Sequence, residues 1–87
     1  MTTLEKKAND FKKAIHGKLN KKHNCMFFCV VSASGALCQI QAKRGGETIT
    51  QQTIPWKNLE DVKPSEIPKL GNQTLIAMGH LLAFANA

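Results

Sequence analysis

The sequence has no CxxC pair and no HxxxH pair. Structural zinc sites draw their four ligands from spacings of that kind, so a metal centre is not expected. Long hydrophobic runs are missing too. The longest, near the C-terminus, is about a dozen residues, short of the ~18 that spanning a bilayer takes. The N-terminal run "MTTLEKKANDFKKAIHGK" is charged and has no apolar centre, so no secretory signal is expected there. Arginine is nearly absent, with Arg44 standing among many lysines. Lysine brings charge without the planar fork that reads guanine edges, which argues against sequence-specific recognition of DNA. No internal repeat, low-complexity tract or cofactor motif is present. Three cysteines cannot all pair within one chain, so free thiols in a reducing, cytoplasmic setting are expected.

What is present fits one small domain. The chain has 87 residues, of which 43% are hydrophobic. That is enough for a packed core and too much for a disordered chain. Net charge is +6, unevenly placed. Residues 1–24 carry seven lysines against Glu5 and Asp10, giving +5, and residues 25–87 carry +1. Such asymmetry suits a polyanionic partner or an acidic protein.

Leu4, Ala8, Phe11, Ile15 and Leu19 recur at helical spacing and predict an amphipathic helix over about 3–20. Thr2 with Glu5 forms a candidate capping box. "CMFFCVVS", over about 25–32, is short and rich in Phe and Val, and reads as a strand. "ASGA" signals a turn, and "LCQIQAK", over about 36–43, alternates with period two. Gly45-Gly46 suits a tight hairpin, and "ETITQQTI", over about 47–54, is the third strand. Residues 55–71 hold three prolines and read as a connection. A second helix follows over about 72–85, or from Ser65 if that residue caps a longer version. The expected fold is therefore α+β: helix, three-stranded antiparallel sheet, helix.

With two-residue loops at Ser34-Gly35 and Gly45-Gly46, Val31 opposes Cys38, Cys29 opposes Ile40 and Phe27 opposes Ala42. Across the second hairpin, Ala42 opposes Ile49 and Cys38 opposes Thr53. All three cysteines then share one apolar face, where a free thiol packs as a small hydrophobe. Cys25 and Cys29 would stand roughly 13 Å apart along a strand, too far to share an ion. The other face carries Met26, Phe28 and Val30 beside Gln39, Gln41 and Lys43, then Thr48, Thr50 and Gln52. If both helices cover the cysteine face, Met26, Phe28 and Val30 form an exposed apolar stripe, a mark of an interface. "TLIAMGHLLAFA" is apolar nearly all round, which suggests burial on more than one side. Leu75, Met78, Gly79, Leu82 and Ala83 are its candidate contact residues, most simply in a homodimer.

Three functions fit this pattern. In the first, a non-enzymatic module binds nucleic acid through Lys6, Lys12, Lys13, Lys18, Lys21, Lys22, Lys43 and Arg44, with Phe28 available for stacking. The element order resembles the topology of double-stranded-RNA-binding domains, although "LGNQT" stands where those domains place a lysine pair. In the second, an adaptor or inhibitor, of mobile-element origin, uses the apolar helix and sheet face. In the third, a small ribonuclease toxin uses His23 as general acid or base. Size, basic charge and a histidine near the first strand resemble toxins of that group, but "NKKHNC" lacks their paired histidine after a glycine turn.

Overall fold

A computed structural model describes residues 3–85. Helix α1 spans Thr3–Ile15 and buries Ala8, Phe11 and Ile15. Thr2, the expected cap, lies outside the described residues. The helix stops five residues before the predicted end, and Gly17 is the cause. Its φ of +82° is a left-handed conformation that suits glycine and turns the chain out of the helix. The His16 amide still donates to the Lys12 carbonyl at 2.8 Å, and Lys18 closes back on Ile15 at 3.2 Å.

The released chain forms a short strand, β1 (Leu19–Asn20), and the rest of the sheet follows as β2 (Cys25–Ser32), β3 (Leu37–Arg44) and β4 (Glu47–Pro55). The sheet is four-stranded and antiparallel, in the order β1-β2-β3-β4. The predicted three strands are thus joined by a fourth, too short to show a period of its own. Two 3-10 turns, Trp56–Leu59 and Pro64–Glu66, lead into α2 (Ile67–Ala85). The second helix therefore takes the longer of its two predicted forms, with Pro68 in its first turn, where the missing amide costs nothing.

Both helices lie on the cysteine face. Cys25, Phe27, Cys29, Cys38, Ile40 and Ala42 of the sheet form one core with Phe11, Ile15, Leu59, Ile67, Met78 and Leu82. Each large side chain taken from water here contributes roughly 1.5–3 kcal/mol. The first hairpin has the predicted register: Val31 opposes Cys38, Cys29 opposes Ile40 and Phe27 opposes Ala42. Its loop is longer than predicted, with Ala36 rather than Gly35 taking positive φ, at 47°.

The second hairpin departs from prediction partway along. Gly45 and Gly46 make the two-residue turn, at φ 57° and 85°, and Lys43 opposes Thr48. A bulge between Ala42 and Lys43 then shifts the register, so that Ala42 opposes Thr50 and Cys38 opposes Ile54. Thr50 and Gln52 therefore belong to the helix-covered face, not the open one. Gln51 and Thr53 take their places on the open side.

Candidate nucleic-acid interface

The end of α1 builds this surface. Gly17 donates to the Phe27 carbonyl and Phe27 to the Lys18 carbonyl, each at 2.8 Å, pinning the chain along the edge of β2. Beyond β1 a side chain takes over the edge: His16 Nδ1 accepts the Cys29 amide at 3.1 Å. Nδ1 is therefore unprotonated in this arrangement. Lys12, Lys13, His16, Lys18, Lys21 and Lys22 follow one another beside β2. Lys13, Lys18, Lys21 and Lys22 are exposed, and Lys12 is half-buried.

The β1–β2 turn sits at the same end of the sheet as the Gly45-Gly46 turn. Asn20 Oδ1 accepts the His23 amide at 3.0 Å, and Asn24 adopts φ 52°. The Arg44 guanidinium donates to the carbonyls of His23 and Asn24, tying the two turns together. Residues 11–46 hold six lysines and Arg44 and not one Asp or Glu. The fold draws that acid-free stretch into one edge and one end. Glu47 stands at that end, opposite Arg44 across the hairpin, and the other acids lie outside the stretch, with Glu60, Asp61 and Glu66 in the connection before α2.

The open sheet face adjoins this edge. Phe28 is half-buried at its centre. The His16 ring meets it edge-on, with centroids 5.5 Å apart and planes at 80°. Lys43 Nζ stands 5.8 Å from the Phe28 ring centre, in cation–π range. Met26 and Val30, on the same face, are 38% and 53% exposed, as is their neighbour Leu19 at 57%. Gln39, Gln41, Gln51 and Thr53 supply hydrogen-bonding groups around them.

The predicted site residues fall into separate groups. Lys12, Lys13, Lys18, Lys21, Lys22, Lys43 and Arg44 come together along the edge and the hairpin end. Lys6 does not join them, since it lies about 9 Å further back along α1 at 1.5 Å per residue. Its neighbour Lys7 caps the carbonyls of Leu59 and Glu60. Met26, Phe28 and Val30 lie on the open face as expected. Met78 and Leu82 were predicted as contact residues, but both are fully buried within the chain. The reason is helical phase. Ile67, Gly71, Thr74, Met78 and Leu82 recur at four, three, four and four and form the inward stripe. Thr74 fits there because its hydroxyl donates to the Leu70 carbonyl at 2.9 Å. Ile76, Leu81 and Phe84, on other phases, are the large exposed apolar residues among those described in α2. Leu75, Gly79 and Ala83 lie at the margin.

The thiols are buried in the core. Burial raises the Cys25 thiol pKa despite the Arg44 charge. Cys29 is raised by its hydrogen bond with Cys38 and by burial, so it keeps its proton. Cys38 is lowered by that bond, which outweighs burial and is assisted by the Trp56 N–H. That N–H is buried and has no well-formed hydrogen bond of its own. Among the described residues, no three His, Cys, Asp or Glu side chains gather as a cation site. Nor is any helix among them long and apolar enough to cross a membrane.

No protein-family model matches the chain, and no curated protein or solved structure shows significant similarity to it.

Proposed function

We propose that the protein is a non-enzymatic module that binds single-stranded nucleic acid without sequence preference, along the β2 edge and the open sheet face. The observation that carries this reading is the acid-free run of residues 11–46, seven of whose side chains are cationic. A phosphate backbone following that edge meets lysines in succession and releases its counterions. Bases turned toward the sheet meet Phe28, whose ring offers a stacking surface, with Gln and Thr side chains at hydrogen-bonding range of sugars. Arg44 commits its fork to the His23 and Asn24 carbonyls, which leaves it, like the lysines, to bind through charge rather than base identity. The buried thiols favour a binding role over a nucleophilic one.

Fluorescence anisotropy with a labelled single-stranded 20-mer, titrated at increasing salt, tests the reading. Contacts to four to six phosphates give a slope of log affinity against log salt of about −3 to −4. Phe28→Ala is expected to weaken binding about tenfold, within the range of one lost base stack. Affinity that ignores salt, or that survives Phe28→Ala undiminished, refutes it.

A further inference from the structure

A groove on the helix side of the molecule shares Lys18, Lys21 and Lys22 with that edge but has an apolar floor that proposal does not use. It runs between the β1–β2 turn and the second half of α2. Its floor is Leu75, Ile76 and Gly79 over the buried Phe27, and it continues along α2 to His80 and Ala83. Ile76 is 63% exposed and Leu75 half-buried, so the floor presents large aliphatic side chains to water. Gly79 keeps it open: a Cβ there would meet nothing nearer than Asn20 Nδ2 at 3.8 Å. The chain's own packing therefore does not require glycine at this position. Every titratable side chain along the walls is basic. Lys18, Lys21 and Lys22 line one stretch, and Lys22, His23 and His80 the next.

An apolar floor with lysine and histidine walls around Asn20 selects for its complement. We propose that this groove docks an acidic amphipathic segment of a partner protein, its aliphatic or aromatic side chains on Leu75 and Ile76 and its carboxylates toward the lysines. Helical peptides that dock in grooves use anchors spaced by three or four residues, and charge complementarity fixes their register. A second copy of this chain fits the groove poorly. A two-fold contact would set Lys18, Lys21 and Lys22 against the same lysines across the axis. A nucleic-acid strand supplies the negative charge but no aliphatic surface to cover Ile76.

The experiment is a selection of random 16-residue peptides displayed on phage against the full chain, followed by synthesis of the enriched consensus as a soluble probe. The consensus is expected to combine Asp or Glu with Leu, Ile or Phe at spacings of three and four. Ile76→Glu and Gly79→Trp are each expected to weaken its binding at least tenfold, with Phe28→Ala changing it less than twofold. Ile76 is exposed and Gly79 has free space, so both variants are expected to keep the parent circular dichroism spectrum and melting curve. Four results overturn the proposal. The selection enriches no acidic-apolar consensus. The consensus binds Ile76→Glu and Gly79→Trp as well as the parent. Sedimentation gives a dimer that Ile76→Glu dissociates, which assigns the groove to a second copy. Phosphatidylcholine–phosphatidylserine vesicles bind in an Ile76-dependent way and the consensus peptide does not, which assigns it to a lipid surface. The sheet-face proposal is read independently, from Phe28→Ala and the oligonucleotide.

Discussion

A Cβ placed on Gly71 would lie 2.5 Å from the Cβ of Ala14, inside any real contact distance. Glycine is what lets the first turns of α2 lie against the last turn of α1. In an open helix, Gly→Ala stabilises by about 1 kcal/mol. Here the added methyl meets Ala14, a short side chain that cannot swing aside, and overlap this deep belongs at the upper end, about 2–3 kcal/mol, of what overpacking costs. Net of the helix gain, Gly71→Ala is expected to lower stability by about 1–2 kcal/mol in urea denaturation. Adding Ala14→Gly should recover part of that loss, a coupling above ~0.5 kcal/mol. A Gly71→Ala variant as stable as the parent would contradict the close approach.

The bulge in the second hairpin makes a sharp distinction between adjacent residues of β4. Ile54 opposes Cys38 and packs on the core, and Thr53 opposes Gln39 on the open face. Ile54→Ala is expected to cost about 1–2 kcal/mol, less than a full core truncation because Ile54 is only partly buried. Thr53→Ala should stay within about 0.5 kcal/mol. The unshifted register, which sets Cys38 opposite Thr53, assigns Thr53 inward and predicts the reverse order. Urea midpoints of the two variants decide between them.

That hairpin also shows where the sequence stops informing. Alternation in "LCQIQAK" sorts all three thiols inward and the glycine pair places the second turn, as the structure has them, whereas "ASGA" marks the first turn but not its four-residue length. The bulge leaves no such mark, because "ETITQQTI" alternates weakly and either face of it can be polar. Leu19 continues the helical spacing of Leu4, Ala8, Phe11 and Ile15, yet it belongs to a strand. The signal that overrides periodicity is Gly17, whose left-handed conformation ends α1. In α2 the inward stripe is legible through Gly71 and Thr74 once they count as buried positions. Counting only large apolar residues hides it, and makes the helix look apolar all round. The lysine edge is half legible: the charge run is plain in the sequence, but its alignment with β2 depends on the turn at Gly17.

The thiols set a pH dependence. Burial raises the Cys25 pKa above its ordinary value of 9.0, and Cys29 is raised by its hydrogen bond with Cys38 and by burial. A thiol with a raised folded value stays protonated in the native chain where the unfolded chain ionises. Its contribution is complete below the unfolded value and is lost as pH climbs above it. Cys38 is lowered, so its contribution has the opposite sign and stops growing once pH passes 9.0. Thermal melts between pH ~9 and ~10.5 should therefore show falling stability, with a shallower fall in Cys25→Ala. Parallel slopes for the two proteins would contradict the assignment. In the same range, all three thiols should alkylate more slowly in the native chain than in denaturant.

Arg44 joins the two turns that carry the cationic end, and charge and geometry can be separated there. Its guanidinium donates to two carbonyls of the β1–β2 turn, at His23 and Asn24. Lysine keeps the charge but is a single flexible donor head, without the fork that bridges two acceptors. If the tie is geometric, Arg44→Lys and Arg44→Ala both lose about 0.5–1 kcal/mol of stability, a modest value because the residue is exposed. If the charge also meets phosphate, only Arg44→Ala should flatten the salt dependence of oligonucleotide binding, by about 0.7 in slope. The expected pattern is therefore a shared loss in melting temperature and a split in salt slope. Should Arg44→Lys melt with the parent, the turn is held by Asn20 and the Asn24 backbone alone, and Arg44 acts only as a charge.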